Sequence, residues 1–268
     1  MIYGFIGLGN MAGAIVQGMT KSEHFKNATL VGFDADTVKM QTLAEQTGLK
    51  PLTSPVEVAK AADVVVLAVK PQILSNVLNE ELKNSLQGGE KLIVSIAAGK
   101  KIAWYEEILG KNVALVRVMP NLAAKVGSAC TALCKNKKAS NLQLEIAQKI
   151  FASVGTTHVI DEKLFSAFTA LSGSSGAITL MYINAMATIG VNAGFTKDTA
   201  LLIANEAVMG SSKLLSETGN RLMELQDAIC SPAGTTIAGV MAAKKLGLES
   251  IILQSIQAII DKDIAMAK

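Results

Sequence analysis

Short, unbroken apolar runs alternate with amphipathic stretches through the first 160 or so residues of the chain. Ile2–Ile6, Thr29–Phe33, Val64–Val69, Leu92–Ile96 and Ala114–Met119 read as strands. Between them, Asn10–Met19 and Thr37–Thr47 read as helices, the latter with Val38, Leu43 and Ala44 among its apolar positions. Lys70-Pro71 breaks the third run, and a helix follows near Ile73–Leu86. Strands without polar alternation, separated by helices, predict a parallel sheet covered on both faces. Ser128–Leu133 and Thr156–Ile160, flanking a helix over Leu142–Ala152, extend that sheet.

The texture changes after about Asp161. No Asp, Glu, Lys or Arg occurs from Leu164 to Thr196, and Ile178, Met181, Tyr182, Ala185 and Ile189 recur at helical spacing. Further helices fit Lys197–Ser216, Thr235–Lys245 and Leu248–Ala267, the last with Ile252, Ile256, Ile259 and Ile260 on one side. The pattern predicts an α/β domain over residues 1–161 and an all-helical domain over residues 162–268. A membrane span needs about 20 predominantly apolar residues. Here Ser172, Ser174, Ser175, Thr179, Asn184, Thr188 and Asn192 interrupt the run, so no membrane helix is expected. A helix so poor in charge must be buried on most sides, which a domain of about 100 residues has trouble doing alone. A partner subunit is the expected cover.

Composition narrows the picture without redirecting it. Of the residues 50% are apolar and 18% charged, which fits a folded globular chain of 268 residues. A net charge of +3 suits an anionic small ligand, and no dense Lys/Arg stripe with interleaved aromatics argues for nucleic acid. Lys135, Lys137 and Lys138 read as a solvated loop. Cys130, Cys134 and Cys230 are too scattered for a disulfide framework or a zinc site, and His24 and His158 stand alone, so no metal is expected. The N-terminus enters a strand with no basic region before it, so no signal peptide is visible and a cytoplasmic location is expected.

The first chemistry lies at Gly7-Leu8-Gly9-Asn10-Met11-Ala12, a G-x-G-x-x-A sequence between the first strand and the first helix. Gly7 would permit the tight turn and Gly9 would let backbone approach a pyrophosphate, while Ala12 would keep helix and strand close. Asp34, 25 positions after Gly9, ends the second strand and is placed to accept hydrogen bonds from ribose hydroxyls. This is a Rossmann dinucleotide site. Asp34 and Asp36 oppose a 2′-phosphate and lean towards NADH; the alternative is a turn-forming Asp34, with Lys39 folded back on a phosphate.

Several segments together resemble pyrroline-5-carboxylate reductase. They are Gly4–Met11, Ala68-Val69-Lys70-Pro71-Gln72, Ser95–Gly99, Arg117-Val118-Met119-Pro120-Asn121, Ser172-Gly173-Ser174 and Ser231-Pro232-Ala233-Gly234-Thr235-Thr236. The resemblance runs over nearly the whole chain and implies reduction of 1-pyrroline-5-carboxylate to L-proline by NAD(P)H. It places coenzyme on Gly7, Gly9, Asn10, Met11, Asp34, Ala68, Val69, Lys70, Pro71, Ala98, Gly99, Pro120 and Asn121. It places the cyclic imine carboxylate on Ser174, Ser231, Gly234, Thr235 and Thr236, with Ser231 and Thr236 as the catalytic pair. Residue chemistry agrees: Ser231–Thr236 is a hydroxyl-rich Pro/Gly loop leading into a helix, which suits a carboxylate or, alternatively, an ordinary capping turn. A protonated C=N is already electrophilic, so alignment with the nicotinamide is the main task. The resemblance further implies a homodimer, with larger rings of dimers allowed, and an active site combining one subunit's Rossmann domain with the partner's Ser231–Thr236 loop.

The chain departs from the family pattern at Leu122, Ala123, Gly176, Ile178, Asn184, Thr188, Leu222 and Gln226, whereas Asp227 is kept. Those at Leu122, Ala123, Gly176 and Ile178 leave room for a six-membered cyclic imine as the better substrate. A 3-hydroxyacid dehydrogenase would need a general base, typically Lys, on the long helix, and the uncharged Leu164–Thr196 run has none. A non-catalytic nicotinamide-binding protein is the reading from a different class, and the intact Ser231–Thr236 loop argues against it.

Overall fold

A computed structural model of the chain describes residues 1–87, 91–219 and 221–266. The first strand β1 (Ile2–Ile6) leads through the glycine turn into α1 (Asn10–Lys21). Next come β2 (Thr29–Phe33) and α2 (Thr37–Thr47); the Asp36 carboxylate caps α2 by accepting the Lys39 amide. Short β3 (Lys50–Pro51) and α3 (Pro55–Ala61) follow, α3 entered through the Ser54 cap with Pro at its first position. After β4 (Val64–Leu67), the region expected as one helix is two, α4 (Pro71–Val77) and α5 (Glu80–Leu86). Asn79 divides them because its side chain accepts the Leu82 amide and so starts a new helix. Then come β5 (Leu92–Ser95), α6 (Ile102–Leu109), β6 (Ala114–Met119), a 3-10 turn at Leu122–Val126, β7 (Ala129–Lys135), α7 (Asn141–Ala152) and β8 (Gly155–Val159). The apolar pattern did not reveal β3, α3 or α6, which are short and flanked by polar residues.

Among the described residues the sheet has eight strands in the order β3-β2-β1-β4-β5-β6-β7-β8. Its first six follow the dinucleotide-binding order 3-2-1-4-5-6, and the order in which strands are added reverses between the parallel neighbours β1 and β4. Successive side chains face opposite sides, so Val64 and Val66 pack with α1 and α7, while Val65 and Leu67 pack with α3 to α6. The sheet is mixed, contrary to the all-parallel expectation: β7 runs antiparallel to β6, with Arg117 opposite Cys134. Nine residues, Pro120 to Ser128, join them, and a parallel crossover needs about a dozen or more. Arg117 is buried on β6. Its guanidinium pairs with Glu162 at 2.9 Å and stacks over the Phe165 ring at 4.3 Å, and Glu162 also accepts the Ile102 amide at 2.7 Å.

After β8 the chain is helical. α8 (Phe165–Phe168) runs into a π-helical turn, Thr169–Ser174, and then α9 (Ser175–Asn192). α10 (Lys197–Thr218), α11 (Leu222–Ile229), α12 (Thr235–Lys245) and α13 (Leu248–Met266) complete the chain; Ala267, expected at the end of the last helix, lies outside the described residues. Two compact units result, Met1–Gly173 together with the chain end from Ile260, and Ser174–Ile259. In the second unit, Ile183 and Ala187 of α9 pack on Ala200 and Ala204 of α10. Small side chains make that seam close: a Cβ on Gly190 would meet the Ala200 methyl at 2.9 Å. On the other side of α9, Met181 is 71% and Ile189 64% exposed within the single chain, as a helix awaiting cover from a partner subunit would be. The helical stretch Glu162–Asn192 is, by length and composition, apolar enough to cross a membrane, with an 18-residue window at mean hydropathy 1.3.

Candidate active site

Gly7 ends β1 in a backbone conformation, φ +92°, that L side chains rarely adopt. Its amide donates to the Phe33 carbonyl at 2.8 Å, and a Cβ there would press on the Ala68 carbonyl at 3.0 Å. The chain thus turns tightly between β2 and β4. Gly9 is the N-cap of α1, extended at φ −66° and ψ −176°, and makes no side-chain capping bond. A Cβ added to Gly9 would meet nothing within 4 Å. The first amides of α1 therefore open onto free space, which fits a pyrophosphate at a helix N-terminus. Ala12, 1% exposed, seals the helix against the sheet.

Beyond this turn lies a cleft of about 500 Å³ at the carboxyl ends of the parallel strands. Gly9, Asn10 and Met11 form one side, Ala68, Val69, Lys70 and Pro71 another, and Ala98 and Pro120 line it from beyond β5 and β6. Ile96, Ala97 and Met119 of the same motifs, and Leu122, also line it, although none was among the expected coenzyme residues. Their place within or beside the motifs is the signal that could have found them. Gly99 faces a neighbouring recess with Lys100, whose ammonium lies 4.4 Å over the Trp104 ring.

Three expected coenzyme residues brace the walls and do not line the cleft. Gly7 makes the turn just described. The Asp34 carboxylate accepts the Leu8 amide at 2.6 Å and the Asp36 amide at 2.9 Å. Asn121 donates its amide to the Ser172 carbonyl at 2.7 Å and accepts the Cys130 amide at 3.3 Å. Lys39 reaches the cleft from α2 and is held by Asp36 at 3.3 Å. The bond from the Lys39 amide, followed by that from its side chain, lowers the Asp36 carboxyl below its usual range. Lys39 thus stands at the α2 side of the cleft as an ammonium restrained by Asp36.

The second unit carries the other expected cluster. Ser231-Pro232-Ala233-Gly234 turns sharply, and Ala233 (φ 55°) is the one non-glycine residue with positive φ among those described. The Gly234 amide donates to the Ser231 carbonyl at 3.0 Å, and a Cβ on Gly234 would collide with the Ser231 hydroxyl. Gly234 is the N-cap of α12 and, like Gly9, makes no side-chain capping bond. Thr235 and Thr236 stand exposed on the first turn of α12. Ser231, Gly234, Thr235 and Thr236 are thus one local constellation, a backbone and hydroxyl cradle of the kind that takes a carboxylate. Ser174 closes the π-helical turn before α9, a helix without any acidic or basic side chain.

Two family models match the chain: pyrroline-5-carboxylate reductase dimerisation over residues 162–266, and NADP oxidoreductase, coenzyme F420-dependent, over residues 2–99. The chain is 37% identical over 253 residues to pyrroline-5-carboxylate reductase of Methanosarcina acetivorans, covering 94% of this chain and 93% of that one. The solved structure of the reductase from Coxiella burnetii is similar at a TM-score of 0.92 and 30% identity, over 99% of this chain and 98% of that one. The NADP-bound Plasmodium falciparum reductase gives 0.85 at 28% identity, over 100% and 98%. With the glycine cradle on α1, the strand order and the hydroxyl cradle on α12, these similarities place the chain in the pyrroline-5-carboxylate reductase family.

Proposed function

We propose that this chain reduces 1-pyrroline-5-carboxylate to L-proline with NAD(P)H, the last step of proline synthesis. The observation that carries this reading is that α1 and α12 are each entered through an extended glycine, Gly9 and Gly234, which leaves the first amides of both helices without a capping side chain. Each suits an anion, the first a pyrophosphate and the second a carboxylate. When bound, the coenzyme supplies the hydride. The chain's own part is to hold the ring. Amides of the Ser231–Thr236 turn bind the carboxylate, and Thr236, with its hydroxyl near the ring nitrogen, orients the C=N bond. The imine nitrogen arrives protonated, so hydride addition at carbon completes the reduction without a general acid. The lack of charge on α9 is consistent with that chemistry and removes the base a hydroxyacid dehydrogenase needs.

We assign residues 1–161 to coenzyme binding and 162–268 to dimerisation and substrate binding. Exposed apolar side chains of α9, Leu180, Met181, Tyr182 and Ile189, support a partner subunit as their cover in place of a bilayer. In that homodimer the active site combines one subunit's cleft with the partner's Ser231–Thr236 loop. Three free cysteines suit a reducing cytoplasm. Loss of reduced-nicotinamide absorbance with five- and six-membered cyclic imine acids and with hydroxyacids, read in reverse, tests the chemistry. Turnover of the hydroxyacids and of no imine would defeat it. Light scattering showing a stable monomer at micromolar concentration would defeat the dimer.

A further inference from the structure

Asn121 occupies the position where an asparagine ordinarily caps its own helix. It is the N-cap of the 3-10 turn Leu122–Val126, yet its side chain makes no bond to that turn. Both ends of its amide are engaged elsewhere. Nδ2 donates to the Ser172 carbonyl at 2.7 Å, and Oδ1 accepts the Cys130 amide at 3.3 Å. Only this orientation matches a donor to a carbonyl and an acceptor to an N–H. Asn121 therefore joins three segments: its own neighbours Pro120 and Leu122, which line the coenzyme cleft, the start of β7, and the π-helical turn.

The turn is the unusual partner. A π-helical stretch is rare, interrupts regular α-helical bonding and is found most often at functional sites. Here it spans six residues, Thr169–Ser174, and a side chain 51 positions away bonds a carbonyl within it. At 2.7 Å that bond sits at the short end of the range for an amide donor and a carbonyl.

We propose that Asn121 is a positioning residue for the reduction: it pins the Pro120–Leu122 wall of the cleft to the π-helical turn and acts through that pin, without binding the coenzyme itself. The proposal rests on the reductase reading above. Hydride transfer tolerates little misalignment, and a displacement near 1 Å costs about 100-fold in rate. Loss of the pin is thus expected in turnover, not in coenzyme affinity.

The test compares Asn121→Asp with Asn121→Ala in the full-length protein. Aspartate is nearly isosteric and keeps the acceptor for the Cys130 amide, but it replaces the donor to Ser172 with a carboxylate oxygen. Three quantities are read: kcat with 1-pyrroline-5-carboxylate, the NADH and NADPH dissociation constants from quenching of Trp104, the single tryptophan, and amide exchange of residues 169–178 in coenzyme-free protein. The expected result is a fall in kcat of about 10- to 100-fold in both variants. Coenzyme dissociation constants stay at the wild-type value, and exchange in the turn becomes faster. Coenzyme affinity falling in step with kcat would make Asn121 a direct ligand and overturn the proposal. Unchanged kcat would overturn it too, as would failure of both variants to fold. A wild-type protein inactive on the imine would defeat the reductase reading instead, and dissociation constants and exchange would still decide whether the pin exists.

Discussion

The Asp34 carboxylate is bound to the Leu8 amide at 2.6 Å, across the 26 positions between them. Its second oxygen accepts the Asp36 amide, so the residue expected to read a ribose also holds the glycine turn in place. The roles are compatible, because a carboxylate has about four acceptor sites. They are also separable. Asp34→Asn keeps an acceptor for Leu8 and removes the charge that opposes a 2′-phosphate. The ratio of kcat/KM for NADPH over NADH should rise about fivefold, from ~1 kcal/mol of like-charge repulsion at about 4 Å in high dielectric. Asp34→Ala should weaken both coenzymes, because the turn loses its brace. An unchanged ratio in the Asn variant would put the ribose elsewhere.

Gly9 gives the cleanest separation of fold from binding. Its extended backbone is open to any residue, and a side chain there meets no protein atom within 4 Å. Gly9→Val should melt within about 0.5 kcal/mol of wild type, as for a surface change. Its coenzyme affinity should be lost, since the methyl groups fill the pyrophosphate position. Wild-type affinity in a folded Gly9→Val protein would remove the dinucleotide site from this turn.

On the reductase reading, the α12 cradle divides binding from alignment. Thr236→Ala should lower kcat by roughly 10- to 150-fold, the worth of one hydrogen bond to a charged group, about 1.5–3 kcal/mol. Coenzyme affinity should not change. Ser231→Ala should chiefly raise KM for the imine, because ground state and transition state lose the same contact. Steady-state kinetics with the imine varied at saturating coenzyme reads both. A Thr236→Ala enzyme with full turnover would exclude the hydroxyl from the reaction.

Two buried acids predict an alkaline loss of stability. Burial pushes the Cys134 thiol from its ordinary 9.0 up to about 12, with the Glu162 charge adding to the rise. Burial likewise takes the Tyr105 phenol from 10.0 to about 12, against the lowering effect of its Ser95 bond. The folded state therefore keeps protons that the unfolded chain releases, so stability is complete below about pH 9 and falls as pH climbs towards about 12. Chemical denaturation across that window should show the decline, and Cys134→Ala should flatten it. At about pH 8 a thiol reagent should modify the partly exposed Cys130 well before Cys134.

Much of the molecule could be read from local sequence, for a physical reason. A phosphate cradle is built from contiguous residues, so the G-x-G-x-x-A run between an apolar strand and a helix already contains the turn, the close approach and the free amides. The same holds for the hydroxyl turn at Ser231–Thr236, and the strands announce themselves because burial on both faces leaves no polar alternation. What only the tertiary structure decided involves partners distant in sequence. The uncharged Leu164–Thr196 run shows apolar positions all round, so periodicity could not say that Ile183 and Ala187 face α10 while Met181 and Ile189 stay uncovered within the chain. Nor could strand composition set the direction of β7, which follows from the short connection out of β6. Asp34 and Asn121 are the sharpest cases: sequence placed both beside the coenzyme, and only folding brought Leu8 to one and Ser172 to the other. A side-chain amide or carboxylate takes whichever donor or acceptor the fold delivers, and that choice is not encoded at its own position.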